Sequence, residues 1–196
     1  MVYRNDDLQQ LNSLLDSYLT AKTIPSLGLI LEEPIEYSLK QTKAITLANL
    51  DLLVSSSQKM NVMSAVYVKC TGDLHIGVLW YVLEEELKPL ATKLLGASHS
   101  NEVDKFAASS ISEIGNILTA SIANAMYDDI GCKIWSSVPG YAIESLEILL
   151  ESVASDLGEH TDTLVISAVE FRGAHSGIKL QMLLIQDPKE VKKLVV

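Results

Sequence analysis

Phe106 to Gly131 reads FAASSISEIGNILTASIANAMYDDIG. At 100° per residue, Ile111, Ile114, Leu118, Ile122 and Ala125 gather on one side of a helix, while Ser109, Glu113, Asn116 and Ala120 fall within about 60° of one another on the other side. The pattern predicts one long helix from about Val103 to Tyr127 that buries one face and presents the other. A solvated polar stripe is the ordinary account of such a face. Three features favour a functional account. Asn is a poor interior helix residue, so Asn116 carries a propensity cost without a capping role. Ala120 and Ala123 keep the stripe low enough for another protein to approach. Apart from Glu113, the long Lys and Glu side chains that would serve solubility are missing from it.

Outward from this helix, two apolar hairpins dominate the pattern. Met63–Thr71 and Leu74–Leu83 are rich in Val, Ile, Tyr and Trp and join across Gly72-Asp73; Thr163–Arg172 and Gly177–Gln186 join across Gly173–Ser176. Before the first hairpin, Leu8, Leu11, Leu15 and Tyr18 predict a helix from near Asp6, broken by the Pro25–Pro34 stretch. A strand at Ile35–Gln41 and a short helix at Ala44–Val54 follow. After it comes a helix at Glu84–Leu95, stopped by Gly96, and a linker at Ala97–Glu102. The second half repeats the order, with a strand at Lys133–Val138, a helix at Ala142–Ala154, the second hairpin and a closing helix at Pro188–Leu194. A shift of 104 residues carries Leu87 and Leu90 onto Val191 and Leu194. Residues 1–96 and 102–196 therefore read as two pseudo-repeats of one domain. The expected fold is α+β, a layered arrangement of helices on a sheet with pseudo-twofold symmetry and no βαβ rhythm.

Composition narrows the partners. Among 196 residues, 15 Lys+Arg stand against 25 Asp+Glu, a formal charge of -10 that repels nucleic acid and anionic lipid and favours a partner with a basic face. The longest apolar run, Ile76–Leu83, is too short to span a membrane, and Asn5, Asp6 and Asp7 occupy the place an export signal would need. Cys70 and Cys132 are too few and too far apart for a disulfide framework and read as buried thiols in a reducing cytoplasm. His75, His99, His160 and His175 have no ligand spacing, and Cys70 with His75 lacks further ligands, so no metal site is expected. Trp80 and Trp135 read as core or sheet-face residues. No P-loop, G-x-G-x-x-G, H-E-x-x-H or G-x-S-x-G occurs, which leaves a small-molecule metabolic enzyme without a supporting motif.

Ser109-x-x-x-Glu113-x-x-Asn116, followed after 22 residues by Pro139, resembles the signature of the CheC, CheX and FliY phosphatases of bacterial and archaeal chemotaxis. The wider stretch EIGNILTASIANAMYDDIGCKIWSSVPGYA is similar to that family's E-x-G-N-I-L run, strand and trailing proline. The duplicated layout extends the resemblance over most of the chain, nearest to CheC-like members. The resemblance implies hydrolysis of the aspartyl phosphate of a CheY-like response regulator, with Asn116 placing the water, Glu113 docking onto the regulator's lysine, and Ser109 and Pro139 in support. It implies no cofactor in this chain, magnesium on the regulator, a cytoplasmic location, and a CheD-like deamidase as a further candidate partner. The alternative is a non-catalytic CheC-like adaptor that binds a response regulator, a CheD-like protein or a flagellar switch component; retention of both Glu113 and Asn116 favours the enzyme. Neither end carries a CheY-binding peptide or a flagellar-switch extension, so the full-length FliY type is not expected. The 104-residue shift sets Asn5, Gln9 and Asn12 at the places of Ser109, Glu113 and Asn116, with Pro34 following Asn12 after 21 intervening residues instead of 22. Gln9 and Asn12 read as a degenerate second site, or equally as polar helix surface.

Overall fold

The chain runs α1 (Asn5–Tyr18), a π-turn (Leu19–Thr23), α2 (Ile24–Leu31), β1 (Ile35–Leu39), β2 (Lys43–Thr46), a 3-10 segment (Leu47–Leu53), β3 (Val62–Gly72), β4 (Ile76–Leu83) and α3 (Glu84–Leu95). It continues through α4 (Val103–Ile130), β5 (Ile134–Ser136), β6 (Gly140–Ser145), α5 (Leu146–Leu157), β7 (Thr163–Gly173), β8 (Lys179–Gln186) and α6 (Pro188–Leu194). The structure is a computed structural model that describes residues 4–40, 42–53, 61–95, 103–157 and 162–195.

All described strands join one antiparallel sheet. The two apolar hairpins meet along β4 and β8 at its centre, β1 and β2 share the outer edge of β7, and β5 and β6 share the outer edge of β3. Strand alternation assigns the two faces. Val66, Val68 and Cys70 of β3 face a core shared with α1, α3, α4 and α6, and Met63 and Ala65 face a second core under α5 and the 3-10 segment. Trp80 and Phe171 meet in the first core with ring centroids 5.9 Å apart. The fold is α+β, with the expected pseudo-twofold pairing: Ile35 lies opposite Gly173 where Ile134 lies opposite Gly72.

Several local expectations are corrected. Pro25 does not break the first helix, because the π-turn's wider hydrogen bond from Ile24 N–H to Leu19 C=O carries the chain past it, and Pro25 falls in the first turn of α2, where a missing donor costs little. The helix ends instead at Glu32, left-handed with φ 53°. Ala44 to Thr46 belong to an edge strand paired with Val165 to Thr163 rather than to a helix; the turn structure begins only at Leu47, and Val54 lies outside the described residues. Ala142 to Ser145 likewise pair with Ala65 to Val62, so the helix starts at Leu146. In both cases the ladder to a distant strand overrides a helix-like apolar spacing. Gly96 and the 97–102 linker also lie outside the described residues. Both cysteines are free and buried, and burial pushes the Cys70 thiol up to about 12.

The turn of the second hairpin is tied down by one carboxylate. Buried Glu33 accepts the backbone N–H groups of His175 at 2.7 Å and Ser176 at 2.8 Å. The hydrogen bonds from Ser176, and then that from His175, hold its acid down to about 2 against an ordinary 4.5. A folded-state value below the unfolded one contributes stability above pH 4.5 and loses it as the pH falls towards 2. The difference in Tm between the wild type and Glu33→Gln is therefore expected to be full at neutral pH and to close through that window, as followed by thermal unfolding at graded pH.

Candidate functional site

The site is built by pressing α4 onto the sheet. Gly115 sits where a Cβ would stand 3.0 Å from Val66 Cγ1 and 3.3 Å from Trp80 Cδ1, so the absent side chain lets the helix backbone come down onto β3 and β4. One turn on, the Trp80 indole N–H donates to Thr119 Oγ1 at 2.9 Å, with both residues buried. Ser121 donates to Thr23 of the π-turn at 3.0 Å and ties α4 to the first helix. These contacts set the rotation of α4. Ile111, Ile114, Leu118 and Ile122 point into the core, Ser109 and Glu113 are exposed, and Asn116 is half-buried.

The opposite wall comes from a β-bulge. β5 leaves β3 after Ser136 pairs with Cys70, and β6 rejoins it where Gly140 pairs with Tyr67, so Ser137, Val138 and Pro139 span the length of Val68 and Lys69. Ser137 holds this extra residue in place: its N–H donates to Lys69 C=O at 2.8 Å, and its hydroxyl accepts the Lys69 N–H at 3.1 Å. Val138 is thrown outward, 88% exposed, and Pro139 turns beside α4. Ser109, Ser112, Glu113, Asn116, Val138 and Pro139 then line a single open depression of about 360 Å³. The Ser112 hydroxyl is spent on Ala108 C=O at 2.7 Å, whereas no described residue hydrogen-bonds the side chains of Ser109, Glu113 or Asn116. The depression thus offers a free carboxylate and a free carboxamide one turn apart on one ridge, which can dock a cation and orient a water but supplies no nucleophile–base pair.

The first half builds the same bulge and fills it. β1 leaves β7 after Leu39 pairs with Val169, and β2 rejoins where Lys43 pairs with Ile166; Lys40 N–H donates to Ala168 C=O as Ser137 does to Lys69. Thr42 takes the place of Pro139, whereas Pro34 lies before β1. The Asn12 carbonyl oxygen accepts from the Thr42 N–H at 3.1 Å and its hydroxyl at 3.0 Å, and Thr42 reaches buried Ser167 at 2.8 Å. The frame is about 100 residues rather than 104, since Glu32 and Gly131 both end their helices with positive φ and the π-turn adds one residue upstream. Gln9 therefore matches Ser109, Asn12 matches Ser112, and Asp16, which accepts the Tyr37 hydroxyl at 2.8 Å, matches Asn116. Gln9 is exposed on α1, and Asn12 is engaged with Thr42. Gly115, Thr119, Ser137 and Val138 went unmarked in the sequence; only the helix-interior glycine on the apolar side carried a signal.

No family model matches the chain. Among solved structures, Thermotoga maritima FliY superposes with a TM-score of 0.76 at 17% identity, covering 99% of this chain and 96% of FliY. The FliM middle domain from H. pylori gives 0.59 at 8% identity, covering 98% of each chain. The CheX of a CheX-CheY-BeF3-Mg complex from Borrelia burgdorferi gives 0.50 at 17% identity, covering 94% of this chain and 100% of that one. The fold is the one shared by FliY, CheX and the FliM middle domain, as the sequence resemblance implies.

Thr119→Val keeps the shape of the contact beneath the site and removes the acceptor of the Trp80 N–H. Leaving that donor buried and unpaired is expected to lower the unfolding free energy by about 1–3 kcal/mol, measured by urea denaturation.

Proposed function

We propose that this chain is a protein phosphatase of the CheC type, acting in chemotaxis signalling in the cytoplasm on the aspartyl phosphate of a CheY-like response regulator. The observation that carries the proposal is the pair of unengaged groups, Glu113 and Asn116, on an open ridge beside Ser109 and Pro139. The CheX neighbour, found in complex with CheY, supports it. In this scheme the α4 ridge enters the regulator's phosphorylated pocket. The Glu113 carboxylate pairs with a lysine there in a charge-assisted hydrogen bond and sets the depth of entry. The Asn116 carboxamide hydrogen-bonds a water and holds it in line with phosphorus. The water oxygen bonds to phosphorus as the bond from phosphorus to the aspartyl oxygen breaks; aspartate departs as carboxylate, and the protons pass to phosphate and solvent. An amide does not titrate near neutrality, so Asn116 orients the water rather than deprotonating it, which suffices for an acyl phosphate already prone to hydrolysis. Magnesium would belong to the regulator, where it neutralises charge on the phosphoryl oxygens. Among the described residues of this chain no group of three or more His, Cys, Asp or Glu side chains could hold a metal, and no helix is long and apolar enough to cross a membrane.

A non-catalytic adaptor is the second reading, and the likeness to the FliM middle domain is the observation in its favour. The two separate in one assay. With phosphorylated CheY-type regulators as substrate, phosphate release is expected to rise on adding the protein. Asn116→Ala is expected to lower the stimulated rate by about 10- to 100-fold while binding persists, and Glu113→Ala to damage both binding and rate. A wild-type protein that binds the regulator without speeding phosphate release establishes the adaptor reading over the enzyme, and an Asn116→Ala variant that speeds release as well as wild type overturns the role given to Asn116.

A further inference from the structure

The face of the sheet opposite α4 carries a second concavity. A pocket of about 520 Å³ opens between α5 and the paired strands β3 and β6, within the size range of small-molecule sites. Its origin is a run of small floor residues: Ala65 lies opposite Ala142, and Gly140 lies opposite Tyr67, so the strands leave space that Leu149 and Val153 of α5 do not fill. The two ends differ in charge. At one end Asp156 accepts the Tyr67 hydroxyl at 2.9 Å and pairs with Lys69 at 2.8 Å, so the positive charge there is already matched, with Lys69 first among the causes that hold the Asp156 carboxyl below its usual range. At the other end exposed Glu144, opposite Met63, is hydrogen-bonded or ion-paired by no described residue. Glu147 and Glu151 of α5 add to the negative field outside. The unmatched charge on the rim is thus negative, and the floor is apolar.

We propose that this pocket binds a small amphipathic cation, with an apolar body about the size of one aromatic ring lying over Ala65 and Ala142 and an ammonium or guanidinium group at Glu144. An anionic ligand would have to share the Lys69 ammonium with the Asp156 carboxylate, whose charge repels it, and a wholly apolar one would draw nothing from Glu144. Neither Glu144 nor the pocket floor belongs to the α4 depression, so the proposal stands apart from the phosphatase reading.

The test is a titration of the full chain, followed by backbone amide shifts at Ala65, Ala142 and Val153, with three matched probes: 2-phenylethylammonium, 2-phenylethanol and 3-phenylpropionate. The cation is expected to shift these amides saturably and to bind more tightly than the other two. Glu144→Gln, an exposed change that spares the fold, is expected to weaken the cation by about two- to five-fold and to leave the alcohol unchanged. Ala142→Leu is expected to block all three probes, and should that variant fail to fold, Glu144→Gln decides the matter alone. Shifts that do not saturate, equal affinity for the three probes, preference for the carboxylate, indifference to Glu144→Gln, or binding that survives in a folded Ala142→Leu variant each overturn the proposal.

Discussion

The close seating of α4 on β3 and β4 is the constraint from which the rest follows. It depends on the missing side chain at Gly115, which lets the helix approach Val66 and Trp80, and on the Trp80–Thr119 hydrogen bond, which stops the helix from turning about its axis. A rotation of one residue would swing Asn116 by about 100° and carry it from the ridge towards a flank. Because the clamp lies in the core, the ridge is held without any hydrogen bond to the functional groups themselves. Glu113 and Asn116 are therefore left with their full hydrogen-bonding capacity for a partner.

The two halves show how one frame yields an open site in one place and a closed one in the other. Both edges of the sheet carry the same bulge beside the same long helical element. In the first half the bulge residue is Thr42, whose N–H and hydroxyl draw Asn12 down and link it to Ser167, and Asp16 is bound to Tyr37. In the second half the equivalent residue is Pro139, which has no N–H to offer, and Ser112 bonds back to its own helix. The cleft stays open, and Val138 stands at its rim. Hydrogen bonding within the protein and availability to a partner are competing uses of the same positions, and the halves differ in which use prevails.

Much of this was legible in the residues. The hairpins declared themselves through β-branched and aromatic runs around turn residues, and α4 through an apolar face of helical period. Ser109, Glu113, Asn116 and Pro139 were marked by their resemblance to a known signature, and the structure places them around one depression. The edge strands β2 and β6 were not legible, because they are short, half-exposed and run directly into helical turns, so Leu47 and Leu50, or Leu146 and Leu149, lend their spacing to the preceding residues. What makes them strands is a ladder to residues roughly 80 to 120 positions away. The 104-residue register failed for a related reason. It was set where α3 and α6 correspond, Leu87 and Leu90 with Val191 and Leu194, whereas the π-turn and unequal loops give the first helices a different offset, and no local pattern announces an inserted residue inside a helix. Gly115, Thr119 and Ser137 act only through what they touch, which a one-dimensional pattern does not contain.

The central proposal is spatial: it has the α4 ridge of the second half, and not α1 of the first, entering the regulator's phosphorylation pocket. Paramagnetic relaxation tests it directly. With a BeF3-activated CheY-type receiver domain loaded with Mn²⁺ in place of Mg²⁺, the side-chain amide resonance of Asn116 and the backbone amide of Glu113 are expected to broaden first and most strongly, while the side-chain amide of Asn12 stays sharp. An Asn116 resonance that remains sharp in a formed complex, or broadening centred on α1, would contradict the account.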